Sequence, residues 1–133
     1  MTIPVKVAIV YYSSTGTTAE IAQELRDAAL KAGAEVRLLK TGELAPLEAI
    51  ESNQAWADHH AATVDIPLAT PEDIEWADAV LFGTPTRFGN VSAQLKQFMD
   101  KLGGLWAQGK LADKVYSGFV SSATAHGGCA RRP

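Results

Sequence analysis

The sequence predicts an α/β protein, a doubly wound parallel sheet forming a single domain over residues 1–133. Two near-continuous apolar runs, Val7-Ala8-Ile9-Val10-Tyr11-Tyr12 and Ala79-Val80-Leu81-Phe82-Gly83, have the pattern of strands covered on both faces. Stretches with apolar residues at helical spacing separate such runs. Strand, helix and strand follow closely enough to make a βαβ unit, which should be right-handed.

Val5 to Tyr12 reads as a buried central strand. A helix is expected from Ala19, with Ile21, Ala22, Leu25, Ala28, Ala29 and Ala32 on one stripe and Gly33 to stop it. Ala34 to Leu39 is the second strand. Thr41 to Thr70 is the least regular stretch, with a helix expected around Leu47 to Ala62, and a segment this long is usually functional or inserted. Thr70-Pro71-Glu72-Asp73 has the marks of a helix start: Thr as N-cap, Pro at the first position, acid in the first turn. Strand three is Ala79 to Gly83, followed by the turn Thr84 to Asn90. A helix then carries Val91, Leu95, Phe98, Met99 and Leu102 on one stripe, with Gly103-Gly104 to end it. Lys114 to Val120 is strand four.

Composition narrows the function. With 47% hydrophobic residues the chain can build a core, and its net charge of −3 speaks against a nucleic-acid partner. No apolar run approaches the roughly 20 residues of a membrane span. The start, Met-Thr-Ile-Pro-Val, has no signal-peptide pattern, so a cytoplasmic location is expected. The single cysteine, Cys129, rules out an intramolecular disulfide and a Cys-x-x-Cys pair. His59 and His60 are adjacent and lack metal-ligand spacing, so no metal is expected.

The most informative segment joins the first strand to the first helix. Ser13-Ser14-Thr15-Gly16-Thr17-Thr18 is rich in hydroxyls and holds no Lys or Arg. A strand entering a helix through such a turn aims backbone N–H groups, and the positive end of the helix dipole, at one point. The turn lacks the Gly-Lys-Ser/Thr of a nucleotide triphosphate loop and the three glycines of a dinucleotide fingerprint. Held by neutral donors, the expected ligand group is a monophosphate. The alternative is an ordinary helix start capped by Ser and Thr.

Ligands of open parallel sheets sit beyond the carboxyl ends of the strands. Three polar, Gly-containing loops leave such ends, at 13–18, 84–90 and 121–128. The first offers phosphate donors. The second offers amides, Arg87 and Phe88, and the third offers hydroxyls, His126 and Gly127-Gly128. Phosphate, a flat ring and exposed heteroatoms are the needs of flavin mononucleotide.

Ser13-x-Thr15-Gly16-x-Thr18 resembles the flavodoxin phosphate loop. The runs Gly83-Thr84-Pro85-Thr86-Arg87-Phe88-Gly89-Asn90, Gly103-Gly104-Leu105-Trp106 and Ser121-Ser122-Ala123-Thr124-Ala125-His126-Gly127-Gly128 are similar to those of the WrbA-type NAD(P)H:quinone oxidoreductases of the flavodoxin-like superfamily. The resemblance runs from about Val5 to Gly128. It implies a flavodoxin-like sheet, FMN as cofactor, NAD(P)H as co-substrate and a quinone as acceptor. By it, Ser13, Ser14, Thr15, Gly16, Thr17 and Thr18 hold the phosphate. Pro85, Thr86, Arg87, Phe88, Gly89 and Asn90 form the second FMN-binding loop, with Thr86 to Phe88 along the isoalloxazine ring. Ser122, Ala123, Thr124, Ala125, His126 and Gly127 close the other side, and Trp106 lies at the substrate face. The flavin carries the hydride chemistry, so no catalytic side chain is named.

The family continues past the Gly-Gly with a fifth strand, another helix and a further FMN-contacting His, and its members are usually homotetramers. Here the chain turns to Cys129-Ala130-Arg131-Arg132-Pro133, a tail without apolar period. The expectation is therefore a sheet of order 2-1-3-4 with the fifth strand missing, strand four an open edge, and the homotetramer in question for this chain. A flavodoxin-type electron carrier, or a truncated product without activity, are the alternative readings.

Overall fold

The computed structural model describes residues 3–124. Four parallel strands form one sheet in the order β2-β1-β3-β4: β1 (Lys6–Tyr11), β2 (Glu35–Lys40), β3 (Ala79–Pro85) and β4 (Val115–Ser121). The first, α1 (Thr17–Lys31), joins β1 to β2. Between β2 and β3 come α2 (Leu47–Glu51), α3 (Gln54–Ala62) and α4 (Pro71–Trp76). Two more, α5 (Ala93–Asp100) and α6 (Gly103–Ala107), lead to β4. No helix among the described residues is long and apolar enough to cross a membrane.

The alternation of side chains along β1 splits the core in two. Ala8 and Val10 point to one face, where Leu39, Ile74, Val80, Leu95, Phe98 and Leu102 pack under α4 and α5. Val7, Ile9 and Tyr11 point to the other, against Ala19 and Ala22 of α1. Apart from Lys6, every residue of β1 is buried, the signature of the central strand of a two-sided sheet.

Two elements differ from the sequence expectation. The helix expected around Leu47 to Ala62 is two helices, because Asn53 is extended and its side chain accepts the Trp56 N–H at 3.2 Å, starting a new helix. Gly103-Gly104 open α6 rather than only ending α5, which stops at Asp100. The start of α4 follows the expectation: Thr70 N–H donates to the Asp73 carboxylate at 2.9 Å in a capping box, with Pro71 at the first position. On the α5 stripe Leu95, Phe98 and Leu102 are buried, whereas Val91 and Met99 remain exposed.

At Gly83 the Phe119 ring occupies the space a side chain would need. A Cβ there would lie 2.1 Å from Phe119 Cζ, its neighbour in register on β4. That close approach lets Phe119 pack against the cluster of Val7, Ile9 and Tyr11.

Candidate functional site

The three loops do converge. Ser13, Ser14, Thr15, Thr17 and Thr18 line a cleft of about 330 Å³ together with Pro85, Thr86 and Arg87 and with Ser121, Ser122, Ala123 and Thr124. Cross-loop hydrogen bonds fix its walls. Thr18 Oγ1 and Ser121 Oγ lie 2.9 Å apart, Thr86 N–H donates to the Ser121 carbonyl at 3.0 Å, and Arg87 Nη2 donates to Ser14 Oγ at 3.3 Å.

The turn into α1 is not an ordinary capped helix start. Its N-cap is Gly16, with φ 116°, a left-handed conformation that glycine adopts without a Cβ penalty. No side chain caps the helix. Ser13 Oγ instead accepts the Gly16 N–H at 3.1 Å, which curls the loop and leaves the Ser13 O–H free to donate. The first amide of this helix to reach a carbonyl is that of Glu20, donating to Gly16 O at 2.9 Å. The earlier first-turn amides are the unpaired donors that every helix start presents. Among the described residues the hydroxyls of Thr15 and Thr17 bond to nothing. Hydroxyls that would have capped a helix thus remain available to a ligand, beside the positive end of α1.

Arg87 lines the cleft, as expected of the second loop, and also reaches the first loop. Its guanidinium stands beside the first loop, bonded to Ser14, so that loop is not bordered by neutral donors alone. A long side chain from the second loop supplies the cation that the first loop lacks. His59 also borders this turn: a Cβ on Gly16 would lie 3.5 Å from its Nδ1. Partial burial, then the nearby Lys40 and His60, hold the His59 imidazole below its ordinary pKa.

The remaining second-loop residues turn away. Arg87 and Asn90 exchange both backbone hydrogen bonds, at 2.8 and 3.0 Å, around Phe88 (φ 54°) and Gly89 (φ 78°). Positive φ at both central positions makes this a tight hairpin turn of the mirror-image kind. It holds Phe88 wholly exposed, outside the cleft. Gly89 and Asn90 line a neighbouring groove with Val91, Leu95 and Met99. Trp106, on α6 and 74% exposed, borders a separate apolar groove with Phe82, Met99, Leu102, Leu111 and Tyr116. Ala125, His126 and Gly127 lie outside the described residues.

Glu43 escaped the sequence reading, and Ser121, read there as the first residue of the third loop, was given no role of its own. Ser121 ends β4 and is the residue through which the third strand-end meets the first helix. Glu43 lies between β2 and α2 and lines a neighbouring cavity that shares Ser13 and Ser14 with the cleft. Its carboxylate accepts from Tyr12 Oη at 2.6 Å, Gln94 Nε2 at 2.6 Å and Trp56 Nε1 at 3.3 Å. Burial alone would raise its pKa, but hydrogen bonds from Tyr12, Ala45, Gln94 and Leu44 hold it below the ordinary value. The same contact, with burial as the larger cause, pushes the Tyr12 phenol well above its usual range.

A parallel sheet ordered 2-1-3-4, with a hydroxyl-lined cleft at the carboxyl edge and the first helix N-terminus, defines a flavodoxin-like protein. The structure is similar to that of a flavodoxin, WrbA-like protein from Agrobacterium tumefaciens, with a TM-score of 0.62 and 27% identity, covering 93% of this chain and 64% of that one. A flavodoxin from the domain Archaea shares the fold, with a TM-score of 0.54 at 12% identity, covering 92% of this chain and 87% of that one.

Residues 5–131 match the family described as NADPH-dependent FMN reductase, and the chain belongs to that family. It is 52% identical over 128 residues to an NAD(P)H dehydrogenase (quinone) of Deinococcus radiodurans, covering 96% of this chain and 64% of that protein. A protein of the same description from Aromatoleum aromaticum is 45% identical over 124 residues, covering 92% of this chain and 59% of that protein. The chain thus spans less than two thirds of the length of these curated relatives.

Proposed function

We propose that the cleft binds FMN through its phosphate and that the chain serves NAD(P)H:quinone oxidoreduction. The observation that carries the proposal is the unspent donor set at the start of α1. With no side chain capping the helix, Thr15 and Thr17 offer free hydroxyls, the first-turn amides point outward, and Arg87 adds a charge. A phosphate monoester fits these donors, since anions are favoured at helix N-termini and charge-assisted bonds are the strong ones. The loop Ser13 to Thr18 would hold the phosphate. Pro85 and Thr86 on one side, and Ser122 to Thr124 on the other, would flank the rest of the ligand, with Ala125, His126 and Gly127 proposed from the resemblance.

Bound FMN would supply the two-electron hydride chemistry. The protein's part is position and electrostatics. Thr18–Ser121 and Thr86–Ser121 fix the separation of the walls, and the hydrogen bond to Ser14 holds the guanidinium of Arg87 where an anion needs it.

The quinone and NAD(P)H rest on the family and on the names of the relatives. A flavodoxin-type electron carrier is the second reading, favoured by one observation: among the described residues, Phe88 and Trp106 do not line the cleft of their own chain. Steady-state oxidation of NADH or NADPH with benzoquinone, in the presence of FMN, separates the two. Turnover dependent on FMN and on benzoquinone supports the oxidoreductase. Flavin binding without turnover supports the carrier.

A further inference from the structure

Three segments that build or border the cleft meet at one carboxylate in the neighbouring cavity. Tyr12 directly precedes Ser13 of the first loop, and its buried side chain donates to Glu43 Oε2 at 2.6 Å. Gln94 lies in the first turn of α5, just after the second loop, and donates to Glu43 Oε1 at 2.6 Å. Trp56 of α3 donates to Oε2 at 3.3 Å, and α3 also carries the His59 that packs on Gly16. The remaining donors, Leu44 N–H at 2.9 Å and Ala45 N–H at 3.0 Å, belong to the turn that carries Glu43 itself. These partners share one property: every one is a donor. A carboxylate, acceptor-only when ionised, is the one side-chain group that satisfies them all.

We infer that Glu43 is a positioning residue for the flavin cleft, its carboxylate clamping the first loop, through Tyr12, to the second, through Gln94, and holding α3 against both. The inference rests on the FMN reading for its consequence but not for its geometry. Ser14–Arg87 and Thr18–Ser121 pin the cleft at its mouth. Glu43 ties the residues that flank the same loops, Tyr12 and Gln94, so that the two loops cannot separate freely without straining bonds to a charged group. Such bonds are individually stronger than neutral ones. The carboxylate held below its ordinary pKa by these donors is consistent with that role.

Glu43→Gln keeps the size of the side chain but turns one oxygen into an NH2 group that faces other donors. The clamp predicts a specific pattern in the full 133-residue chain. In ligand-free protein, amide hydrogen exchange should accelerate together at 12–18 and 84–92 while β2 stays protected. FMN and riboflavin should both bind about tenfold more weakly, the order of couplings carried through a packed network, because wall spacing and not a phosphate contact is lost. Gln94→Ala should give part of the effect, and E43Q/Q94A should be no worse than E43Q alone, since partners in one network are not additive. Exchange that rises only at 43–46, or uniformly, would overturn the clamp, as would additive losses in the double variant. If E43Q does not fold, Tyr12→Phe and Q94A each remove one tie while leaving the carboxylate, and both must loosen the same two loops. Should the wild-type chain bind no flavin, the FMN reading fails while the exchange pattern still decides the clamp.

Discussion

Thr15→Ala isolates the anion-binding claim from the fold. Thr15 is exposed at the middle of the first loop, and its hydroxyl bonds to nothing among the described residues. Removing it therefore breaks no internal hydrogen bond and uncovers no core, so stability should stay within about 0.5 kcal/mol of wild type. A hydrogen bond to a charged group contributes roughly 1.5–3 kcal/mol. If the hydroxyl donates to a phosphate oxygen, FMN affinity falls about ten- to a hundredfold, because each 1.4 kcal/mol is tenfold. Riboflavin, the same ring without the phosphate, should bind the variant as it binds wild type. The assay is fluorescence quenching of each flavin titrated with protein, alongside a urea unfolding curve for both proteins. Equal weakening of FMN and riboflavin would refute the reasoning, since the loop would then contact something other than the phosphate. So would an unchanged FMN affinity in a variant of unchanged stability.

Other consequences are independent of the ligand. Gly83→Ala places a methyl 2.1 Å from Phe119 Cζ, and such overpacking typically costs 1–3 kcal/mol; chemical denaturation should show the loss, with Phe119→Leu recovering part of it. The Glu43 carboxyl is held below its ordinary value of 4.5, so its contribution is present above that pH and is lost as pH falls through the lowered value. In thermal melts across pH, E43Q should therefore be less stable than wild type near neutrality, with the gap closing in acid; a constant gap would show that the carboxylate is not what titrates. Among the described residues no strand pairs with the outer side of β4, where Val115 and Val120 are 68% and 58% exposed. Open apolar edges associate, so light scattering should rise with concentration, and Val115→Lys should suppress the rise.

What was legible in the sequence was local or periodic. The β1 run is apolar because both faces of the central strand are covered, and that pattern needs no tertiary information. The start of α4 was legible because Thr70, Pro71 and Asp73 act within a single turn. The convergence of the three loops followed from their leaving the same ends of parallel strands. Contacts across long sequence separations were not legible. Nothing near Arg87 announces that it reaches Ser14, 73 residues away. Nothing near Glu43 points to Tyr12 or Gln94, 31 and 51 residues distant. Ser121 was read only as the first residue of the third loop, since only the pairing of β4 with β3 brings it to Thr18. Phe88 is fully exposed for a backbone reason that sequence does not announce: positive φ at Phe88 and Gly89 makes the tight hairpin tip. The break at Asn53 was hidden because helix propensity persists on both sides of it, and only the side-chain cap marks the restart.

The central claim is that the cleft at the start of α1 is a flavin mononucleotide site. Titration of FMN with the purified chain, followed by loss of flavin fluorescence, tests it most directly. The account predicts saturable quenching, tighter for FMN than for riboflavin by the contribution of the phosphate, and competition by inorganic phosphate. Absence of saturable quenching up to high micromolar protein, or equal affinity for FMN and riboflavin, would contradict it.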